Sequence, residues 1–550
     1  MATNAELVQQ GLIHHRSGQI ALAMDRYTEV LRNDPQDADA LYYIAVIACQ
    51  EGQFQQGLDL ARRSLSFKPQ QARAYNLIGN ALDRLGKPQE AIASYDEALR
   101  LDPKLAQAHG ARAALLADAQ PQQALEGFAR ALALNPNSVP DLINRGGLLN
   151  ALARPAEALA DFDKALTLGP PDPRLLMNRA DALALLERYA EADAVYDAII
   201  KRDPKLALAY AHKGLAQKYL GRFAEARALM EQAHAMDGED ATIAFALAAL
   251  LLQTGEWKKA WPLFEKRAQM PKPAYTPLDY PRWNGEAPGD FRLVLLSEQG
   301  LGDTVQFGRY AALLAGRGHA VTLVTLPVLA PLMRTLPGVE RVVTSADELT
   351  NDKRRVVFLP LMSTPSMLHL TPDTIPEQAP YLTAEPERIA RWAKKLGGGG
   401  LKVGIVWQGV KNAQPLADFA PLAEIDGVRL ISLQKGTAAR QLDEVAFGGR
   451  IERPLDADDF SAGALLDTAA VMASLDLIVT IDSMPAHLGG ALGRPVFLAL
   501  PYVPDWRWLL EGDSTRWYPT MRLFRQDAGR QWAPVFARIA DAVRETAAGA

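Results

Sequence analysis

A helical solenoid followed by two small α/β lobes is the fold this sequence predicts, on three observations. Prolines recur at a near-constant spacing through the first half. A proline-rich stretch at 271–290 then breaks the pattern, and from Phe291 onward β-rich apolar runs alternate with helices. At 550 residues the chain is too long for one hydrophobic core, so two or three domains are expected.

The solenoid follows from the period. Pro35, Pro69 and Pro103 are 34 residues apart, Pro136 follows after 33, and Pro170 and Pro204 resume at 34. That is the repeat length of the tetratricopeptide helix–turn–helix. Other positions move in phase. Gly18, Gly52 and Gly86 stand 17 residues before the first three prolines, where the two helices of a unit must turn tightly. Ala23 with Tyr27, Ala91 with Tyr95, Ala124 with Phe128, Ala158 with Phe162, and Ala192 with Tyr196 place a small residue and an aromatic one turn apart. This lets neighbouring helices approach and then fills the gap. The period continues through Gly214, Gly221 and Ala226, then Gly255, Ala260 and Phe264, for eight units over about 4–270.

Stacked helix pairs form a superhelix whose concave face commonly holds a peptide or protein segment; a rigid spacer or dimerisation arm has the same sequence pattern. Asn76, Asn80, Asn144, Arg145, Asn178 and Arg179 fall on first helices and are the candidate acceptor-groove residues. An Asn amide bonds an extended backbone through both its donor and its acceptor.

Residues 271–290, with Pro271, Pro273, Pro277, Pro281 and Pro288, read as a linker that stops helix propagation. Beyond it, Leu293–Leu296, Ala320–Thr325, Val339–Thr344 and Val356–Leu359 read as strands of a doubly wound parallel sheet spanning 291–396. Gly397–Gly400 read as a hinge between lobes. A second α/β unit, 401–550, then uses Lys402–Trp407, Arg429–Leu433, Leu477–Ile481 and Pro495–Leu500, and closes on a helix from about Pro534 to Ala547. Two such sheets facing across a cleft hold ligands between their strand C-terminal ends.

The totals exclude several classes. A net charge of −5 and a pI near 6.0 argue against nucleic acid as a partner. The single cysteine, Cys49, excludes an internal disulfide and a multi-cysteine metal site, which fits a reducing cytoplasm. Met1–Gln10 lack the pattern of a secretory signal. The longest apolar run, Ala241–Leu252, is shorter than the roughly 20 residues that span a bilayer. A soluble, cytoplasmic protein without a membrane span is expected.

Two strand–turn–helix junctions carry the candidate chemistry. The first runs from Leu293–Leu296 through Ser297, Glu298, Gln299, Gly300, Leu301, Gly302 and Asp303 into a helix near Thr304. The second runs from Leu475–Ile481 through Asp482, Ser483, Met484 and Pro485 into a helix with His487 and Gly490. A helix entered through Pro leaves backbone N–H groups unpaired at its start, which attract phosphate. Asp482 and Ser483 suit a ribose or phosphate oxygen, and equally suit an ordinary helix cap.

The run Glu298 to Asp303, with Arg309 and Tyr310 behind it, resembles the N-lobe signature of heptosyltransferase-like glycosyltransferases of the GT-B fold. Leu475–Leu477 through Asp482, Ser483, His487, Leu488 and Gly490–Gly493 resembles their C-lobe signature. The block Asp505–Trp508, then Trp517–Pro519 and Met521–Gln526, is similar to a narrower group in which a tetratricopeptide array is fused to such a transferase, and the resemblance covers nearly the whole chain. Within that group the arrangement looks like that of bacterial flagellin-modifying enzymes. There the repeats are thought to hold flagellin while the transferase half adds a nonulosonic acid such as pseudaminic acid.

What the resemblance implies is a cytoplasmic protein O-glycosyltransferase, inverting and metal-independent, acting on Ser or Thr from a nucleotide sugar, CMP-linked in the favoured case. Asp303 matches the aspartate that takes the acceptor proton in heptosyltransferases; a helix cap is its structural alternative, and Glu298 is the rival carboxylate. Gly300 and Gly302 let backbone approach the sugar, and Gln299 bonds hydroxyls. For the leaving phosphate the candidates are Ser483 with Asp482, Lys411, and Gln434 with Lys435. The Gly409–Leu416 loop is shorter and less basic than the Arg-rich form usual in the group. His487 suits either a phosphate contact or a buried hydrogen bond, and Trp506, with Arg507 and Trp508, suits stacking on a base or sugar as well as a core cluster. No His/Asp/Glu grouping has convincing metal-ligand spacing. The alternatives are a non-catalytic repeat scaffold with a transferase-like nucleotide-binding domain, and a transferase acting on a lipid-linked or polysaccharide acceptor.

Overall fold

Sixteen helices, from Asn4–Arg16 to Trp257–Phe264, occupy the span of the eight expected units in a computed structural model describing residues 2–349, 353–409 and 413–549. The in-phase residues act as their spacing predicts. Gly18, Gly52 and Gly86 take φ of +73°, +81° and +74° between the helices of a pair, a left-handed conformation that is open to glycine without a Cβ clash. Two later units place other residues there, Ala153 at +56° and Glu187 at +59°. Ala23, Ala91, Ala124, Ala158 and Ala192 are fully buried beside their aromatic partners. A further small residue on the first helix receives the ring in three of the units: a Cβ on Gly11, Gly79 or Gly146 would sit 2.4–2.5 Å from Tyr27, Tyr95 or Phe162.

The chain divides into two compact units, Met1–Ala216 and Gln217–Ala550, and not at the end of the repeats near 270. The first unit is built around Leu, Ala and aromatic side chains contributed by successive pairs.

In the second unit the last repeat is part of the α/β core. Trp257, Trp261 and Phe264 pack with Trp506 and Trp517, ring centroids 5.4 to 6.3 Å apart. Gln253 donates to the Pro504 carbonyl (2.6 Å) and the Trp261 indole to that of Leu370 (2.9 Å). Stacked and edge-on aromatic contacts of this kind add to the large area such rings bury.

Two parallel sheets follow. Strands β1 (Phe291–Leu296), β2 (Ala320–Val324), β3 (Arg341–Val343) and β4 (Arg355–Pro360) form a four-stranded sheet in the order β3-β2-β1-β4. Strands β5 (Leu401–Val406), β6 (Val428–Ser432), β7 (Leu477–Ile481), β8 (Val496–Leu500) and β9 (Met521–Arg525) form a five-stranded one in the order β6-β5-β7-β8-β9. Eight strands lie within a few residues of expectation. The ninth, β9, falls inside the block read only as a family signature.

Three connections differ from their expected character. The proline-rich segment is not a slack linker: Trp283 N–H donates to the Phe358 carbonyl (2.8 Å) and Phe358 N–H to that of Pro281 (3.0 Å), so it lies along β4. Gly397–Gly400 are tied down, because the Arg429 guanidinium donates to the carbonyls of Leu396, Gly398 and Gly399. The helix Pro386–Leu396 packs on the second sheet's helix Ala462–Ala473, where Asp467 accepts from Arg388, Arg391 and Trp392. It belongs with the second sheet and not with the first.

Candidate functional site

The C-terminal ends of β5, β6 and β7 open onto a cavity of about 470 Å³, with Leu301 and Val328 from the first sheet's side on its wall. This is where an open parallel sheet holds ligands, since strand ends and the helix starts that follow them point there. Three of the predicted residues, Ser483, Gln434 and Lys435, line it, each in a specific way.

Ser483 lines the cavity at the start of the helix Met484–Ala491. Its hydroxyl does not cap that helix. The Oγ donates back to the Ile481 carbonyl (3.0 Å) and lies 3.2 Å from Thr480 Oγ1. Gln434 is buried and works as a stitch: its Oε1 accepts from the N–H groups of Trp407 (3.1 Å) and Gln408 (2.9 Å), and its Nε2 donates to the Gln408 and Lys435 carbonyls. The amide is therefore spent on shaping the β5 and β6 ends. Lys435 Nζ donates to the carbonyls of Asp456 and Asp459, and burial lowers its pKa despite the acids around it. Lys411 lies outside the described residues. Sequence reasoning missed Phe460, 64% exposed on the cavity wall; it sits in a turn-rich stretch with no helix or strand period to single it out.

The Gly-rich turn meets this helix start from the other side. A Cβ on Gly302 would lie 3.2 Å from His487 Cδ2 and 3.4 Å from Met484 Cα, so the glycine permits the close approach expected of it. Gln299 is exposed with φ +58°. Asp303, three residues after Gly300, accepts the Gly300 N–H on Oδ2 (2.9 Å) and pairs with Arg507 through Oδ1 (2.5 Å). It thus caps its helix and holds an arginine at once.

Arg507 is the residue around which this junction is arranged, whereas the sequence offered it only as a stacking companion of Trp506. Nε donates to Gln306 Oε1 (2.7 Å), Nη1 to Asp505 (2.8 Å) and Nη2 to Asp303, while its plane lies 4.7 Å from the Trp506 ring. Burial opposes its charge, but Asp505 and Asp303 more than offset that and raise its pKa. Arg309 makes the reverse crossing. From the helix Leu301–Gly316 it reaches a cage of Tyr381, Trp517 and Tyr518, 4.7 to 5.3 Å from their centroids. Two buried arginines therefore lock the Gly-rich helix to the 505–518 segment.

Asp482 sits against this network. Burial, then the neighbouring Asp505, push its carboxyl up to about 7, with the Trp508 indole and Arg507 pulling the other way.

Three predicted residues are placed elsewhere. His487 is buried, its Nδ1 3.1 Å from the Tyr518 hydroxyl and its ring stacked on Trp508 at 5.5 Å. Burial and then Arg507 depress its pKa to about 3. It is a neutral core histidine, without the charge a phosphate contact needs. Trp506 is 7% exposed inside the aromatic cluster with Trp257 and Trp261, so packing and not ligand stacking uses its face. Glu298, the rival base, has a fully buried side chain held by Arg267 through two hydrogen bonds of 2.8 Å, and it also accepts the Met362 N–H (2.9 Å). A carboxylate so engaged has no route to a substrate proton.

In the repeats, Asn76 is buried, Asn80 accepts from the Tyr95 hydroxyl (2.8 Å), Arg145 pairs in a fork with Asp161 (2.6 and 2.7 Å), and Arg179 pairs with Asp163 (2.7 Å). Asn144 and Asn178 are half-buried. Three of the six predicted groove residues, Asn80, Arg145 and Arg179, thus hold neighbouring helices together. No group of three His, Cys, Asp or Glu side chains able to hold a metal ion occurs among the described residues, and no helix there is long and apolar enough to cross a membrane.

Tetratricopeptide-repeat profiles match residues 8–72, 72–105, 143–207 and 219–266. A curated relative, Protein FlbA of Caulobacter vibrioides, is 30% identical over 339 residues, covering 56% of this chain and 56% of FlbA. The match therefore spans little more than half the length of that relative. Among solved structures, a tetratricopeptide repeat protein from Parabacteroides merdae is 22% identical, covering 43% of this chain and 94% of its own, with a TM-score of 0.36. A thermophilic one from Thermus thermophilus is 24% identical, covering 33% of this chain and 100% of its own, with a TM-score of 0.29. The first half of the chain is a tetratricopeptide-repeat array, joined to a region of two parallel α/β sheets.

Proposed function

We propose that the chain is a protein O-glycosyltransferase with GT-B architecture, inverting and metal-independent, whose repeats recruit the polypeptide acceptor. The donor is a nucleotide sugar, in the favoured case a CMP-linked nonulosonic acid such as pseudaminic acid, and the acceptor is Ser or Thr of flagellin. The single observation that carries this reading is the cavity of about 470 Å³ at the β5–β7 strand ends, faced by the Gly-rich turn of Asp303. The start of the helix Met484–Ala491 and the polar rim of Ser483 and Lys435 suit a departing phosphate, and Phe460 suits a nucleobase face. In this reading Gln299, Gly300 and Gly302 contact the sugar, and Asp303 takes the acceptor proton.

One observation favours a second reading, a nucleotide-binding scaffold without turnover. Both Asp303 oxygens are engaged, one by the Gly300 N–H and one by Arg507.

The test is a ligand-induced melting shift of the full chain with CMP, UDP, GDP and ADP, repeated with Asp303→Ala, followed by donor hydrolysis. Binding to the native state raises the melting temperature only for nucleotides that fit. The enzyme reading expects a CMP-selective shift that survives in Asp303→Ala while hydrolysis is lost. Hydrolysis unchanged in that variant sinks Asp303 as the base, and no shift with any of the four sinks the nucleotide site.

A further inference from the structure

A second cavity, about 370 Å³, has Arg507, the partner of Asp303, on its wall, and of the residues the sequence offered for ligand contact only Arg507 and Trp508 line it. Its wall combines Trp257 of the eighth repeat, residues from the segment 372–377, and the loop from Arg507 to Pro519. Its size is within the range of ligand clefts.

The loop that forms most of this wall is held rigidly. The Arg525 guanidinium donates to four carbonyls on it, those of Trp508 (2.6 Å), Leu509 (3.0 Å), Glu511 (2.9 Å) and Gly512 (2.7 Å). The Trp517 indole donates to the Arg507 carbonyl (2.9 Å). Leu509, on the wall, is held at φ +53°. A leucine in that region is strained, and such strain persists where the surroundings over-determine it, often at ligand sites.

The charge distribution separates this cavity from the first. Asp373, Glu377 and Glu511 stand exposed on its rim, against Arg516, which pairs with Glu377 at 3.1 Å. Arg507, at its inner end, is already matched by Asp303 and Asp505. A nucleotide phosphate meets net repulsion here, whereas a neutral or basic peptide meets an indole floor (Trp257, Trp508, Trp517) and acidic edges. Trp257 makes the wall continuous with the last repeat.

We propose that this second cavity receives the segment of acceptor polypeptide carrying the modified hydroxyl, with a preference for lysine- or arginine-bearing sequences. The proposal rests on the glycosyltransferase reading above. In the step it serves, the Ser or Thr oxygen bonds the anomeric carbon and the bond from that carbon to the donor phosphate breaks. Its electron pair leaves with the phosphate, and the hydroxyl proton passes to the Asp303 carboxylate.

The experiment uses the full chain and a pool of Ser/Thr decapeptides of mixed charge, each carrying a diazirine, with crosslinks mapped by mass spectrometry. Two variants accompany it. Ser514→Trp fills the cavity from an exposed position, and Asp373→Lys with Glu377→Lys reverses its rim without changing its volume. The expected result is crosslinking at 372–377 and 508–519 by basic peptides, falling at least tenfold in Ser514→Trp and turning to acidic peptides in the charge reversal. The nucleotide melting shift should be the same in all three proteins. Crosslinks confined to residues 4–216, an unchanged yield in Ser514→Trp, or an unchanged peptide preference in the reversal each overturn the proposal. So does a nucleotide shift lost in Ser514→Trp, which would assign the cavity to the donor. If no nucleotide shifts the wild-type protein, the glycosyltransferase reading fails, while the crosslink map still decides whether a peptide occupies this cavity.

Discussion

Replacing Glu298 by alanine strands the Arg267 guanidinium in a site where neither side chain of the pair has solvent exposure. The substitution deletes two charge-assisted hydrogen bonds of 2.8 Å and the 2.9 Å bond from Met362 N–H. What remains to Arg267 is Ser363 Oγ, the Phe264 carbonyl and a longer contact to Glu265. Breaking a buried pair by removing one partner destabilises by about 3–5 kcal/mol, because the other charge stays desolvated. With a urea m value near 3 kcal/mol/M for a unit of this size, the midpoint should fall by roughly 1 to 1.7 M. All nine tryptophans lie within Gln217–Ala550, so tryptophan fluorescence reports this unit alone. The double change Arg267→Met with Glu298→Leu should recover most of the loss, as apolar replacements of buried pairs commonly do. By contrast Asp303→Ala, at a side chain 20% exposed, leaves Arg507 its bonds to Asp505 and Gln306 and should cost only about 1–2 kcal/mol. A Glu298→Ala midpoint within about 0.3 M of wild type would refute the structural assignment and return Glu298 to candidacy as the base.

Three further outcomes are expected. Asp482, with its pKa raised to about 7, favours folding at low pH and loses that contribution as pH rises from about 4 to 7; His487, lowered to about 3, contributes above 6.5 and loses it as pH falls. The two slopes oppose each other in wild type. Asp482→Asn removes the first, so its stability relative to wild type should climb by up to about 4 kcal/mol between pH 4 and 7; parallel urea midpoints across that range would count against the raised carboxyl. Glu187→Gly, at φ +59°, exchanges a left-handed non-glycine cost of about 1–2 kcal/mol for a smaller entropic one and should stabilise the first unit by about 0.5–1 kcal/mol, read from the circular dichroism melt. A chain of residues 207–550 should give a cooperative melt, whereas 271–550 should not, because Trp506 and Trp517 lose Trp257 and Trp261, and Glu298 loses Arg267; a cooperative melt of the shorter chain would contradict the observed division at 216/217.

The sequence on its own determined what is local or periodic. A proline every 34 residues and a small residue one turn before an aromatic specify helix pairs, because both act through contacts within one repeat or between neighbours. Eight of nine strands were legible as apolar runs. Strand β9 was not, because the charged Arg522 and Arg525 interrupt its run and it is made a strand by pairing with β8 on one edge and a bridge to Ser514 on the other. At the site, the positions of Ser483 and Gly302 could be read from their junctions, but the tasks of Gln434, Glu298, His487 and Trp506 could not. Each of these is decided by a partner from a distant element: Gln434 by Gln408, Glu298 by Arg267, His487 by Tyr518, Trp506 by Trp257. Whether a polar side chain faces a ligand or satisfies a buried neighbour depends on which groups folding brings beside it, since a buried polar group must find a partner. The Asp303–Arg507 pair joins residues 204 positions apart, and only the tertiary structure could put them together.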